Sequence, residues 1–217
     1  MKLFGYWRSS AAYRVRIALH LKNIDCEYVP VHLVKNGGEQ HSEAYVALNP
    51  THLVPTLIDD TLDGELVLNQ SIAILDYLES KHPQPALYPE SIVDKAQVQA
   101  LALDIACEIH PVTNLRVQQY LVKTLGVDDA NKSAWGPHWM CLGFAAFEEK
   151  LQKVSGKYCY GDHVTVADLC LVPQVYNANR FKVDMSAFPL INAIVERCNQ
   201  LPAFIKAMPE NQEDATL

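Results

Sequence analysis

The chain has no block of lysines or arginines, no apolar run long enough to span a bilayer, and no Cys-x-x-Cys pair. Each absence removes a class of function. With 18 basic against 25 acidic residues, interspersed to a net charge of -7, neither nucleic acid nor an anionic membrane surface is expected as the main partner. Any anionic ligand must therefore be held by a local site. Only Leu3 to Trp7 form an apolar start before Arg8, too short for a signal-peptide core, so the protein is expected in the cytoplasm. The 6 cysteines, Cys26, Cys107, Cys141, Cys159, Cys170 and Cys198, lack the histidine spacing of a zinc site, so no metal is expected. They read as reduced, mostly packed thiols, and Cys107, Cys141 and Cys170 sit inside apolar helical patterns. There is no internal repeat and no low-complexity tract.

What is present is an ordinary globular composition, 49% hydrophobic and 20% charged over 217 residues, enough for one large or two small domains. The two parts of the chain follow different periodicities. Over residues 2–7, 28–33, 56–59 and 65–68 the pattern predicts strands, the last two joined by a turn around Asp63-Gly64. Helices are predicted over 12–22, 42–48 and 71–81, the last with Ile72, Leu75 and Leu78 on one face. The order βαβαββα implies a parallel first pair joined by a helical crossover and a later antiparallel hairpin, hence a mixed four-stranded sheet covered by helices. Pro83, Pro85 and Pro89 then mark a linker over 83–90. Beyond it the patterns are helical, over 91–125, 130–154, 165–178 and 190–201, so the fold class is α/β plus all-α, with domains at 1–82 and 91–217. The polar residues 210–217 are expected to fray.

Three short segments carry candidate chemistry, and a fourth reads as structural. In Tyr6-Trp7-Arg8-Ser9-Ser10-Ala11 a strand passes into a helix through two hydroxyls. Such a serine either caps the helix or aims its OH at an anion drawn to the free backbone NH groups. At Val54-Pro55 a loop enters a strand, and a cis bond there would turn the Val54 backbone outward toward an extended ligand. In Asn69-Gln70-Ser71, Ser71 is placed to cap the next helix or to face a carboxylate. Thr165 and Asp168 have the spacing of a capping box, which assigns Asp168 to folding rather than to an active site.

Taken together, these segments resemble the zeta class of cytosolic glutathione transferases, the maleylacetoacetate and maleylpyruvate isomerases. The resemblance spans almost the whole chain. It is carried further by Leu48-Asn49-Pro50, by His110-Pro111-Val112-Thr113-Asn114-Leu115-Arg116, by Val166 to Gln174, and by Arg180-Phe181-Lys182-Val183-Asp184. It implies a thioredoxin-like first domain, an all-helical second domain completing the substrate pocket, a homodimer, and glutathione as cofactor. By position it implies that Ser9, with Ser10 and Ala11 in the same turn, meets the glutathione sulfur, and that Val54 pairs with the cysteinyl backbone through a cis Pro55. Gln70 and Ser71 would hold the γ-glutamyl end and Gln40 the glycyl end, while His110, Asn114, Leu115 and Arg116 would close the site. One position departs: many members read Ser-Ser-Cys at the turn, whereas this chain has Ala11.

The activity so implied is glutathione-dependent cis-trans isomerisation of maleylacetoacetate to its fumaryl isomer, a step in tyrosine and phenylalanine catabolism. A temporary single bond made by thiolate addition allows the rotation. A dicarboxylate substrate needs cations, for which Arg8 and Arg180 are the candidates. Arg14 and Arg16, two apart on one helix, cannot share a face, so at least one serves as a surface or intramolecular partner. Maleylpyruvate isomerisation, conjugation or dehalogenation of small α-haloacids, and a scaffold without turnover are the alternatives.

Overall fold

The computed structural model describes residues 1–62 and 64–216, the side chain of Leu62 excepted. Within them the chain forms two compact units, one of residues 1–86 and 201–217 and the other of residues 87–200.

The first unit opens with β1 (Lys2–Gly5), α1 (Ser10–Leu21) and β2 (Glu27–Pro30). After two short 3-10 turns it continues with α2 (Glu43–Leu48), β3 (Thr56–Leu62), β4 (Gly64–Asn69) and α3 (Ser71–Lys81). The sheet order is β2-β1-β3-β4. β1 and β2 are parallel, with Leu3 opposite Tyr28, as a helical crossover demands. β1 and β3, and then β3 and β4, are antiparallel, with Leu3 opposite Leu57 and Thr56 opposite Asn69. This is the mixed sheet that the pattern predicted. Of the expected turn, Asp63 lies outside the described residues.

Three local expectations shift. The first strand ends at Gly5 instead of continuing to Trp7, and a side chain at Gly5 would meet the Tyr28 ring at 2.9 Å, so glycine is needed where the chain leaves the sheet. β2 likewise stops at Pro30, short of Leu33. On α3 the buried face is Ser71, Ile74, Leu75 and Leu78, while Ile72 is only half-buried. Positions three and four apart share a helix face, and the face is centred one step away from Ile72.

Two buried charges brace this unit. Lys22 on the C-terminal side of α1 donates to the carbonyls of His82 and Pro85 and pairs with Glu79, tying α1 to the end of α3. Asp59 accepts bonds from Tyr77, Lys81 and Thr61. Its burial alone would raise the pKa, but those donors outweigh burial and hold the carboxyl well below the ordinary range.

The second unit contains α4 (Ile92–Leu103), a π-helical segment (Asp104–Ile109), a 3-10 turn (Pro111–Thr113), α5 (Leu115–Lys123), α6 (Asp129–Val154), α7 (Val166–Arg180) and α8 (Pro189–Cys198). The single helix predicted over 91–125 is thus broken. Pro111 has no N–H to continue the ladder, and Asn114 starts a new helix by accepting the Val117 N–H at 3.3 Å. Ile105 and Ile109, four apart, face inward, which leaves Cys107 between them exposed. The packed-thiol expectation therefore fails for Cys107, holds in part for half-buried Cys141, and holds for Cys170. Glu148 on α6 accepts the Leu190 and Ile191 N–H groups at 2.7 and 3.0 Å, so a carboxylate from another helix caps α8.

The chain then returns to the first unit through α9 (Pro202–Ala207), a helix that the sequence pattern did not separate. This corrects the second domain's expected extent of 91–217. Phe204 and Ala207 are buried, and Arg16 on α1 donates to the Ala207 carbonyl at 3.1 Å. The tail is not frayed either. Gln212 Nε2 donates to the Lys206 and Met208 carbonyls at 2.9 and 2.8 Å, and Asp214 Oδ2 accepts the Trp7 N–H at 3.0 Å. Leu217, the end of that expected segment, lies outside the described residues.

Asp168 is fully buried, and its carboxylate accepts the N–H groups of Cys159 and Thr165, both at 2.8 Å. Burial raises its pKa against the opposing pull of those bonds. Asp168→Ala strands two buried amides and should lower the unfolding free energy by about 2–4 kcal/mol, measurable by urea denaturation. Asp59 supplies a pH prediction. Its stabilisation is present above about pH 4, the ordinary unfolded carboxylate value, and is lost as pH falls from there toward the lower folded value. Asp59→Asn should therefore lessen the fall in unfolding free energy between about pH 5 and pH 3.

Candidate active site

The turn after β1 is closed by the Ser9 N–H donating to the Tyr6 carbonyl at 2.9 Å. Ser9 has extended backbone angles and its Oγ accepts the Ala12 N–H at 3.2 Å, so it is the N-cap of α1. Capping uses one hydroxyl lone pair and leaves the O–H proton available to donate. The two readings of this serine are therefore compatible. Ser10 is the first helical residue and is buried, whereas Ala11 is half-buried. The first turn of α1 holds no acidic side chain to offset the positive potential of its free N–H groups. Beside it, Arg8 donates Nη2 to the Tyr6 hydroxyl at 2.9 Å and stands 4.7 Å from the Trp7 ring centre.

The Val54-Pro55 peptide is cis. The loop that carries it hangs on Asn49, which is 1% exposed. Asn49 Nδ2 donates to the Leu53 carbonyl at 2.8 Å and to Thr56 Oγ1 at 3.1 Å. Its Oδ1 accepts Thr51 N–H at 3.1 Å, Thr51 O–H at 2.6 Å and Asn69 Nδ2 at 3.3 Å. One buried amide thus joins the Val54 loop to the residue preceding Gln70. Gln40 is buried, with Nε2 at 3.3 Å from the Leu33 carbonyl and 3.1 Å from His41 Nε2. His41 Nδ1 lies 3.0 Å from His52 Nδ1, which ties Gln40 to the same loop. Among the described residues, Gln40 Oε1 is buried without a hydrogen-bond partner.

At the third segment the expected cap moves by one residue. Gln70, exposed and at φ 67, is the N-cap position of α3, though its side chain makes no capping bond. Ser71 is the first helical residue, and its hydroxyl accepts Arg14 Nη1 at 3.1 Å instead of serving as the cap. A positive φ at a glutamine is strained, and such strain persists where the surroundings hold it and is concentrated at ligand sites. Arg14, only 2% exposed, brings a positive charge from α1 to the start of α3, where helix N–H groups already favour anions.

In the second unit, His110 follows the π-helical segment and donates its backbone N–H to the Ile105 carbonyl at 3.0 Å. Asn114 is the cap of α5, and Leu115 and Arg116 are exposed in its first turn. Arg180, the last residue of α7, is exposed and donates Nη1 to Asn177 Oδ1 at 3.2 Å. Thus the structure joins the Ser9, Gln40, Val54 and Gln70-Ser71 segments within the first unit and gathers His110 to Arg116 in the second. Arg180 stands on a separate helix.

Asn49, within Leu48-Asn49-Pro50, carries no assigned role in the sequence, and helix spacing leaves open where Arg14 points. Asparagine before proline is a turn signal that could have drawn attention to Asn49. Nothing local distinguished Asp214 within its polar tail.

The family models described as glutathione S-transferase N-terminal domain and C-terminal domain match residues 3–86 and 143–202. A probable maleylacetoacetate isomerase of Vibrio cholerae is 54% identical over 98% of this chain and 97% of its own length. The chain belongs to the glutathione S-transferase family. Among solved structures, the holo form of a bacterial maleylpyruvate isomerase, described as a zeta-class glutathione S-transferase, is 44% identical with a TM-score of 0.94, covering 100% of both chains. The maleylacetoacetate isomerase of Methylobacterium extorquens AM1, solved with malonate and GSH, is 36% identical at a TM-score of 0.94 and also covers 100% of both chains. The class named for the first of these structures is the one that the sequence motifs resemble.

In this glutathione S-transferase the donor set of the first unit suits a peptide-like anion. It offers a hydroxyl proton at a helix start and a second helix start backed by an arginine for anionic groups, and the unpartnered Gln40 Oε1 as an acceptor for a peptide N–H. The frame around that set depends on Asn49. Asn49→Ala should lower the unfolding free energy by about 2–4 kcal/mol, since its removal leaves buried partners unpaired; chemical denaturation measures the loss.

Proposed function

We propose that this glutathione S-transferase is a glutathione-dependent isomerase converting maleylacetoacetate to fumarylacetoacetate, in the catabolism of tyrosine and phenylalanine. The observation that carries the reading is Ser9 Oγ, capping α1 through a lone pair with its proton uncommitted, in a chain whose full-length relatives are named for this isomerisation. When bound, glutathione supplies the sulfur that adds reversibly to the cis double bond and leaves after rotation, so it is not consumed.

The residues of the chain do the rest. The Ser9 O–H donates a hydrogen bond to the sulfur, and the free N–H groups of the α1 first turn favour its anionic form, both of which lower a thiol pKa. Val54 offers its backbone to the cysteinyl unit. Gln70 and Ser71, backed by Arg14, hold the γ-glutamyl carboxylate at the start of α3, and Gln40 serves the glycyl end. Arg8 and Arg180 are the proposed holders of substrate carboxylates, and His110, Asn114, Leu115 and Arg116 are the proposed contributions of the helical unit. With Ala11 at the turn, no enzyme cysteine is needed there, because the sulfur comes from the cofactor.

Maleylpyruvate is the second substrate to test, favoured by the similarity to a maleylpyruvate isomerase along the whole chain. Both substrates offer a carboxylate and a conjugated cis double bond. The proposed setting is a cytoplasmic homodimer; the free cysteines suit a reducing compartment, and sedimentation of the purified protein measures the dimer.

The deciding experiment is turnover of each substrate with and without glutathione. Catalytic amounts of glutathione should suffice, whereas stoichiometric consumption or stable conjugates would replace isomerisation with transfer. Ser9→Ala should lower kcat by on the order of 10²-fold with the fold intact, as for loss of one activating hydrogen bond. An unchanged rate would pass the role to Ser10 or to the helix start.

A further inference from the structure

We propose that Asp214, in the C-terminal tail, is a positioning residue for Ser9: it holds the Trp7 peptide and so fixes the turn that presents the Ser9 hydroxyl. This rests on the glutathione reading above. The ladder of β1 ends at Gly5, so the next peptides have no strand partner on that register. Charged side chains take the place of one. The Trp7 N–H donates to Asp214 Oδ2 at 3.0 Å, and the Trp7 carbonyl accepts Arg16 Nη2 at 2.9 Å. The Tyr6 carbonyl, which closes the turn by accepting the Ser9 N–H at 2.9 Å, also lies 3.5 Å from Arg16 Nη1. Both peptide groups of Trp7 are thus held by opposite charges, two residues before Ser9.

The tail is built to deliver this carboxylate. Gln212 is tied to the Lys206 and Met208 carbonyls, and Ala215 N–H closes a turn onto Gln212 at 3.0 Å. Tyr28 donates its hydroxyl to the same Asp214 oxygen at 3.4 Å. Arg16 is 3% exposed, and the Asp214 charge opposes the lowering of its pKa by burial. Among the described residues Asp214 Oδ1 and Trp7 Nε1 are buried without a partner. A charged group held with half its acceptors idle is a costly way to gain stability, but charge-assisted bonds are a strong way to fix a peptide. Precision matters at this turn, because a displacement of about 1 Å at a reacting group costs roughly 10²-fold in rate.

The test follows the ultraviolet absorbance of the glutathione thiolate bound to the purified full-length protein as pH is varied. Wild type, Asp214→Ala, Asp214→Glu, Asp214→Asn and Ser9→Ala are compared, with thermal midpoint and glutathione affinity measured alongside. Asp214→Ala should raise the thiolate midpoint by about one pH unit and lower kcat about tenfold. Its KM for glutathione should stay within about twofold, since the other binding residues are untouched. Asp214→Asn keeps an acceptor for the Trp7 N–H but loses its charge, and should fall between wild type and the alanine variant. Asp214→Glu keeps the charge, displaces the acceptor, and should raise the midpoint even if the alanine variant fails to fold. A lowered thermal midpoint with a wild-type thiolate midpoint in the alanine or glutamate variant would overturn the positioning role and leave a structural one. If the wild type itself binds no thiolate, the glutathione reading falls and takes this inference with it.

Discussion

Arg16 joins two stretches of backbone that are far apart in sequence, bonding to the carbonyls of Trp7 and Ala207 and approaching that of Tyr6. A guanidinium cannot be deprotonated under ordinary conditions, so once buried it must be surrounded by acceptors. The chain meets that demand by bending away from the sheet after Gly5, by docking α9, and by bringing the carboxylate of Asp214 close. The position of Ser9 follows from this arrangement. Arg14, two residues earlier and on another side of the same helix, performs the equivalent task toward Ser71. Helix α1 thereby sets the geometry of both anion-favouring helix starts in the first unit.

Around that helix the site is framed by polar groups bonded to one another, with Asn49 buried and the His41-His52 contact at the surface. Asn49 spans the Val54 loop and the approach to Gln70, and the His41-His52 contact links Gln40 to the same loop. Such networks are costly when incomplete and rigid when complete, which is the property a binding site needs if its donors are to be in place before the ligand arrives. The idle groups are therefore informative. The proton of Ser9 and Oε1 of Gln40 have no described partner within the chain, and both belong to segments that the zeta-class resemblance assigns to glutathione.

Much of this is legible in the amino-acid sequence. Strand and helix periods located the mixed sheet, because alternation and the 3.6-residue repeat follow from which side chains must face a core. The Ser9 turn, the Val54-Pro55 entry and the Gln70-Ser71 helix start were legible as well, since each is a local signal of hydroxyl, proline or cap. Boundaries were less secure. The break at Pro111 is hidden because the apolar pattern on either side reads as one helix, and Cys107 reads as core for the same reason. The cap before α3 proved to be Gln70, since no side-chain pattern announces a glutamine at positive φ.

The amino-acid sequence by itself determined the class of the fold, the family resemblance and the segments that carry the chemistry, because these depend on short-range periodicity and on residue types at fixed spacing. Only the tertiary structure decided where Arg14 and Arg16 point, that α9 and the tail belong with the first unit, and that Asp214 meets the Trp7 peptide 207 residues away in the chain. The physical reason is the same in each case. A buried charge or an unpaired peptide group fixes only that a partner must exist, while the identity of that partner is settled by which distant segments the packed core brings within bonding distance.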